Sequence, residues 1–474
     1  MSDPQSPGTT PAQEPGTMTP IGQQQPERDV AWAQRIRQRV LGINTAVILG
    51  AILLSLLIGA LIVVLFDKDV QTAASYFFAR PSDFFNEASA TFQSFFSSLV
   101  RGAIFNYQAN NTTDAIKPLF ETMTRSVPLI LAGLAIAVAF RAGLFNIGVQ
   151  GQFMIGALCG VLAGIHLHLP AGLHIVAAAV CAVIGGALWG AIPGILKARV
   201  GANEVIVTIM LNAIALKFLS YMLNQKVLIG DGTAGKSMYV QKTAEYPRFL
   251  EVYRLDISII IAIAAAFFVW WLLERSTFGF ELRAAGANPN AARTAGISVT
   301  RVIFLTLVIS GALAGLAGSV PVLGTERFLT TGSAGSYGFD AITVALLGKS
   351  TPVGTVLAGL LFGALAAGAS TMQASAGIPV DIVQITQAII VLLIAASEAV
   401  RYFREKRKIA ARTSAATQTK AKKTTARSAA RAQVTPSQQA DTQVDDGAPA
   451  PERTIPDAEA PSNRPEDHPK GEEK

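Results

Sequence analysis

RSTFGFELRAAGANPNAARTAGISVTR, from Arg275 to Arg301, is a charged, glycine- and alanine-rich connection set between two long apolar runs. A polar joint between apolar runs belongs in water, at one end of a bundle of membrane helices. Within it, Asn288 suits an N-cap, Pro289 a first helical turn and Gly296 a left-handed position after the last turn. The spacing predicts a short helix from about Pro289 to Ala295. Held between two spans and presenting Arg293 beside small alanines, such a helix is shaped to press into a partner protein.

The rest of the chain supports that setting. Of its 474 residues, 51% are hydrophobic and only 15% are charged, and the mean hydropathy is +0.41. The class is an all-α polytopic membrane protein. Cys159 and Cys181 fall inside apolar runs and read as small core residues. Residues 1 to 43 open with a Pro-, Gln- and Thr-rich stretch without apolar periodicity, expected to be a disordered leader. Arg35, Arg37 and Arg39 then precede the first apolar run, Asn44 to Phe66, which places the N-terminus in the cytoplasm by the positive-inside rule. Residues 402 to 474 read as a disordered cytoplasmic tail, basic and then acidic: Arg404 to Gln433 carries ten Lys/Arg against one Glu, and Val434 to Lys474 ten Asp/Glu against four Lys/Arg.

Between leader and tail, residues 44 to 401 form one membrane domain. After an aromatic segment, Asp67 to Lys117, read as lying at the lipid interface, spans are expected at Pro118 to Phe140, Gly151 to Leu169, Ala171 to Leu196 and Glu204 to Asn224. Further spans follow at Asp256 to Glu274, Arg301 to Gly324, Thr351 to Met372 and Asp381 to Arg401. Gly338 to Gly348 is too short to cross alone. Counting it as a crossing or half-crossing puts the basic loops at Lys197/Arg199, at Arg275 to Arg301 and after Arg401 on the inside. This gives about ten crossings with both termini cytoplasmic. Two sets of five are then inverted relative to each other, an arrangement many transporters build around a midplane pathway.

Catalytic chemistry finds no foothold. Gly230 to Ser237, GDGTAGKS, fits the phosphate-loop pattern, but the chemistry needs a preceding strand, a following helix and access to cytoplasmic nucleotide. His166, His168 and His174 have no Cys, Asp or Glu in their turn and read as surface residues rather than as a metal site. Polar residues inside the spans carry more information, because groups that are costly in lipid face the bundle or a pathway. Glu204, Thr208 and Asn212 form a stripe at four-residue spacing. RAGLFNIGVQGQ, from Arg141 to Gln152, places Asn146, Gln150 and Gln152 among glycines and suggests a broken helix at membrane depth, tolerated only when buried in protein or lining a cavity. Gly338 to Asp340, Gln384 and Gln387 are comparable features in the second half. The pathway candidates are therefore Asn146, Gln150, Glu204, Asn212, Asp340 and Gln387, with Phe145, Phe153 and Phe339 as stacking faces. Interhelical hydrogen bonding is the competing role for the polar ones. A base on such a ring gains roughly 1 to 3 kcal/mol.

With these residues in hand, the chain resembles the permease subunits of ABC importers for nucleosides and simple sugars, relatives of the branched-chain amino acid permeases. The resemblance rests on GLFNIGVQGQFMIGA from Gly143, GALWGAIPGILKARVGANEVIVTIMLNAIAL from Gly186, FGFELRAAGANPNAARTAGISVTR from Phe278, ISGALAGLAGSVPVLGT from Ile309 and GFDAITVALLGKSTPVGTVLAGLLFG from Gly338. NEVI at Asn203 to Ile206, followed by Asn212, looks closest to the nucleoside branch. Lys217, Lys349 and the long tail depart from the family pattern. The resemblance implies a non-enzymatic subunit of the cell membrane that binds no cofactor itself. Its partners would be a cytoplasmic ABC ATPase that uses ATP, a second homologous permease in a heterodimer, and an extracytoplasmic substrate-binding lipoprotein, with no nucleic acid. It also implies that Arg275 to Arg301 is the coupling loop, with Arg283, Gly286, Asn288, Pro289, Ala292, Arg293 and Gly296 serving the ATPase contact. A sugar permease is the alternative within the class. An ion-coupled secondary transporter, for which Glu204 and Asp340 would make a weak relay, is the alternative outside it, and a membrane anchor with a lipid-binding tail is a third.

Overall fold

The computed structural model describes residues 43–394 and 396, apart from 231, 233 and 251. Of the leader expected from the sequence only Ile43, the first residue of a helix, is among these residues, and the expected tail lies outside them. Among the described residues there is no strand, only isolated bridges between Lys236 and Thr330 and between Arg248 and Asp256. The chain is a helical bundle. Its long helices are α1 (Ile43–Phe66), α3 (Pro81–Ala103) after the short α2 (Lys68–Ser75), α4 (Thr112–Arg141), α5 (Val149–His166), α6 (Leu173–Ile195) and α7 (Glu204–Met222). After the single turn α8 (Lys226–Ile229) come α9 (Ser258–Glu274), α10 (Thr277–Ala287), α11 (Pro289–Thr294) and α12 (Val299–Val320). The last are α13 (Tyr337–Leu347), α14 (Pro352–Ala376) and α15 (Val380–Ile394).

Among the described residues, seven helices are long and apolar enough to cross a bilayer, and an eighth crossing results if α9 and α10, bent by 68°, count as one. α13 and α15 are shorter apolar helices. Every apolar segment read from the sequence therefore contains a helix. α9 starts later than read, so Asp256 belongs to the connection ahead of it.

α4 holds the centre. Every residue from Val127 to Ala139 is buried, as expected of a helix apolar all round and enclosed by other helices. α12 packs on α6, α5 and α4, while α14 packs on α4 and α3. The α6–α12 contact depends on small residues: a Cβ built on Gly186 would lie 2.2 Å from the Gly311 carbonyl oxygen, and one on Gly311 would lie 2.3 Å from that of Gly186. In lipid, where apolar burial drives no association, such close packing supplies the cohesion. The outward faces of α1, α6, α7 and α9 carry Leu53, Leu61, Leu188, Ile206 and Phe267, all exposed, as lipid contact requires.

The aromatic segment divides into an exposed half and a buried half. Phe77, Phe84 and Phe85 form an edge-to-face cluster, and Phe78 and Phe85 are exposed. The second half of α3 is core: Phe95 is buried, and Ser98 meets Ser375 of α14 at 3.2 Å. The amphipathic pattern reflects two surroundings, an exposed aromatic cluster at one end of the helix and another helix at the other.

The last residues of the phosphate-loop look-alike, Lys236 and Ser237, open a strap held on the segment that follows α12. Ser237 N–H donates to the Leu329 carbonyl (2.9 Å), Val240 to Arg327 (2.9 Å) and Tyr246 to Leu323 (2.8 Å). The residues after it are non-helical, and the Lys236 ammonium sits 3.9 Å from the Phe328 ring centroid. His174, expected at the surface, is fully buried; its ring nitrogens meet Thr243 Oγ1 at 2.8 Å and the Ala163 carbonyl at 3.1 Å. Beside the strap, Asp256 is 1% exposed and accepts from Ser258 N–H at 2.9 Å. Burial pushes its carboxyl pKa up, only partly opposed by Ser258, Arg248 and Arg327.

Candidate functional site

The break between α4 and α5 is where the interior becomes polar. Gly143 takes φ 72°, the helix ends there, and Ala142, Leu144, Asn146 and Gly148 are buried although they lie outside any helix. This is the broken helix read from the sequence, and its polar groups are satisfied within the protein. The Asn146 amide donates to Gln152 Oε1 (3.0 Å) and Ser310 Oγ (2.8 Å), and its carbonyl accepts from Gly148 N–H (3.1 Å). From α7, Asn212 accepts from Gly151 N–H (2.8 Å) and donates to the Ile147 carbonyl (2.9 Å). Gln150 reaches the second half, donating to the Gly335 carbonyl (2.9 Å) and accepting from Gly338 N–H (2.7 Å).

Beyond Gln150 lies a cavity of about 260 Å³ between α4, α13, α14 and α15. Its wall includes Arg125, Tyr337, Asp340, Gln384 and Gln387, with Glu326 and Ser336 from the connection into α13 and Phe362 as an apolar face. Ser336 donates to Asp340 at 2.6 Å, and Ser333 donates to Glu326 at 2.5 Å. The Tyr337 ring is backed by Phe153, centroids 5.7 Å apart and planes 21° apart. Carboxylates, amides and a guanidinium beside aromatic rings suit a neutral molecule with many hydrogen-bonding groups and one flat face. A second, wider cavity of about 830 Å³ opens where the end of α3, the start of α4 and the end of α14 meet, and Arg125 lines it too.

The nine pathway candidates thus separate. Asp340 and Gln387 line the smaller cavity, and Gln150 anchors its connecting loop. Asn146 and Asn212 are closed into the hydrogen bonds of the broken segment. Glu204 pairs with Lys197 at 2.8 Å. Phe153 lies behind Tyr337, while Phe145 and Phe339 are 57% and 48% exposed and line neither cavity.

A family model described as branched-chain amino acid transport system / permease component matches residues 119–396. The chain belongs to this permease family. It is 43% identical over 291 residues to the guanosine ABC transporter permease protein NupP of Bacillus subtilis, covering 60% of this chain and 82% of that one. It is 37% identical over 285 residues to the nucleoside ABC transporter permease protein NupB of Lactococcus lactis subsp. cremoris (58% and 78% covered). It is 34% identical over 299 residues to the glucose ABC transporter permease protein TsgB13 of Haloferax volcanii (60% and 78%). No solved structure matches the chain.

The permease presents α11 as the sequence predicts. Asn288 Oδ1 accepts from Asn290 N–H (3.0 Å) and Ala291 N–H (3.1 Å), Pro289 opens the helix, and Gly296 follows it at φ 84°. Asn288, Pro289, Arg293 and Gly296 are exposed. Ala292 and Gly286, grouped with them, face inward: Ala292 is buried, and a Cβ on Gly286 would lie 2.5 Å from the Arg141 carbonyl oxygen. Arg283 is partly covered, with Nη1 buried and without a hydrogen-bond partner. The sequence reading also missed Glu121 and Arg125. Two ionisable residues four apart in a membrane span were the available signal.

Proposed function

We propose that this permease is the membrane-spanning subunit of an ATP-driven nucleoside importer, with its ten apolar segments arranged as two inverted sets of five, both termini in the cytoplasm and α11 docked on a separate ATPase. A second permease and an extracytoplasmic binding lipoprotein complete the assembly. The observation that carries the proposal is the smaller cavity. At about 260 Å³ it falls just below the roughly 300 to 1,000 Å³ of small-molecule sites, as suits a small solute. Asp340, Gln384 and Gln387 offer partners for sugar hydroxyls, and Tyr337 and Phe362 offer faces for a base. Alternating access then moves substrate past this cavity as the ATPase cycles.

The test is uptake of radiolabelled guanosine by the assembled importer in proteoliposomes. Asp340→Asn and Gln387→Ala should each reduce uptake by about tenfold, the effect of losing one or two hydrogen bonds to a bound polar solute. Unchanged uptake in both would remove the cavity from the pathway. The similarity to a glucose permease favours a second reading, sugar import, which unlabelled glucose or ribose competing better than guanosine would support.

A further inference from the structure

Arg125 lines both cavities, so its side chain stands between them. Nε is held by Glu121 Oε1 at 2.9 Å, one turn earlier on α4, and Nη1 reaches across to the Ala366 carbonyl of α14 at 3.4 Å. Ala366 lines the smaller cavity, whereas Glu121 and its neighbours Lys117 and Asp114 line the larger. The guanidinium therefore spans the junction from one wall to the other.

This pair is poorly explained as a stabilising feature. Both side chains are partly wet, 33% and 23% exposed, and a wet pair at four-residue spacing contributes little to stability, while ionised groups in a membrane span cost more than such a pair returns. Such a weak pair opens readily, and a solute with hydroxyl or carbonyl acceptors compensates the guanidinium when it does.

We infer that Glu121 and Arg125 form the latch between an outer vestibule, the larger cavity, and the substrate cavity, and that a passing nucleoside replaces Glu121 as the partner of Arg125. The inference rests on the cavity reading above. It adds a contact residue and an order of events: vestibule, latch, cavity.

Val383, a buried apolar wall of the smaller cavity, supplies the reporter. Val383→Cys is placed in a chain carrying Cys159→Ala and Cys181→Ala, assembled with its partners in proteoliposomes, and treated from outside with a charged, membrane-impermeant methanethiosulfonate. Arg125→Ala should raise the labelling rate by about tenfold and Arg125→Lys should leave it near the parent value. Glu121→Gln, which keeps size and removes the pair, should also raise it and carries the test if Arg125→Ala fails to assemble. Equal rates in parent, Arg125→Ala and Glu121→Gln, with labelling still blocking guanosine uptake, would overturn the latch and leave the cavity on the path. Labelling that leaves uptake intact would overturn both.

Discussion

At Asn146 one side chain meets three buried groups, Gly148 N–H, Gln152 and Ser310, and a stranded buried group costs about 1 to 3 kcal/mol. Asn146→Ala should therefore lower the melting temperature of the detergent-solubilised protein, on the order of 2 kcal/mol of stability, whereas Asp340→Asn should leave it unchanged and impair uptake alone. Equal melting temperatures for Asn146→Ala and wild type would show that this network carries no structural load. Asp256 offers a pH test. An aspartate ordinarily titrates near about 3.9; burial raises Asp256 in the folded state. The folded protein thus favours the protonated form, so the contribution is fully present below the ordinary value and is lost as pH rises through the raised one. Asp256→Asn should remove this loss: its advantage over wild type in thermal unfolding should grow as pH rises from about 4 towards neutrality. A difference that is flat with pH would refute it.

At the scale of elements, α11 separates into two faces. Arg293 and Asn290 point to solvent, while Ala292 packs inward beneath Ile297, whose N–H bonds the Ala292 carbonyl at 3.0 Å. Arg293→Glu should therefore uncouple ATP hydrolysis from uptake at unchanged thermal stability, reducing guanosine taken up per ATP by about tenfold, the scale of losing one charged contact in an interface. Gly286→Leu, by contrast, should lower stability itself, because its side chain would meet the Arg141 backbone. Normal stoichiometry with Arg293→Glu would separate α11 from the ATPase. This helix was legible in the sequence because capping is local: Asn, Pro and Gly act on backbone within a turn of themselves. Which of its residues face outward was not legible, since six residues carry no usable periodicity and the covering surface comes from α10 and α12.

Over the whole molecule, the family match ends at residue 396. Removing residues 413–474 should accordingly leave guanosine uptake within about twofold of the full chain, a difference below about 0.5 kcal/mol, and a larger loss would give the charged tail a part in transport. By itself the sequence determined the membrane class, the positions of the apolar segments, the broken backbone around Asn146 and the capped helix at Pro289, because apolar run length and backbone capping act over neighbouring residues. Only the tertiary structure decided which polar residues serve the fold and which line a cavity. Asn146, Asn212 and Asp340 look alike in sequence, yet the first two find partners on α5, on α12 and in the broken segment between α4 and α5, while Asp340 is left beside space shared with Arg125 and Gln387. A buried polar group is structural when a distant element satisfies it and available to a solute when none does, and that partner lies tens to hundreds of residues away along the chain.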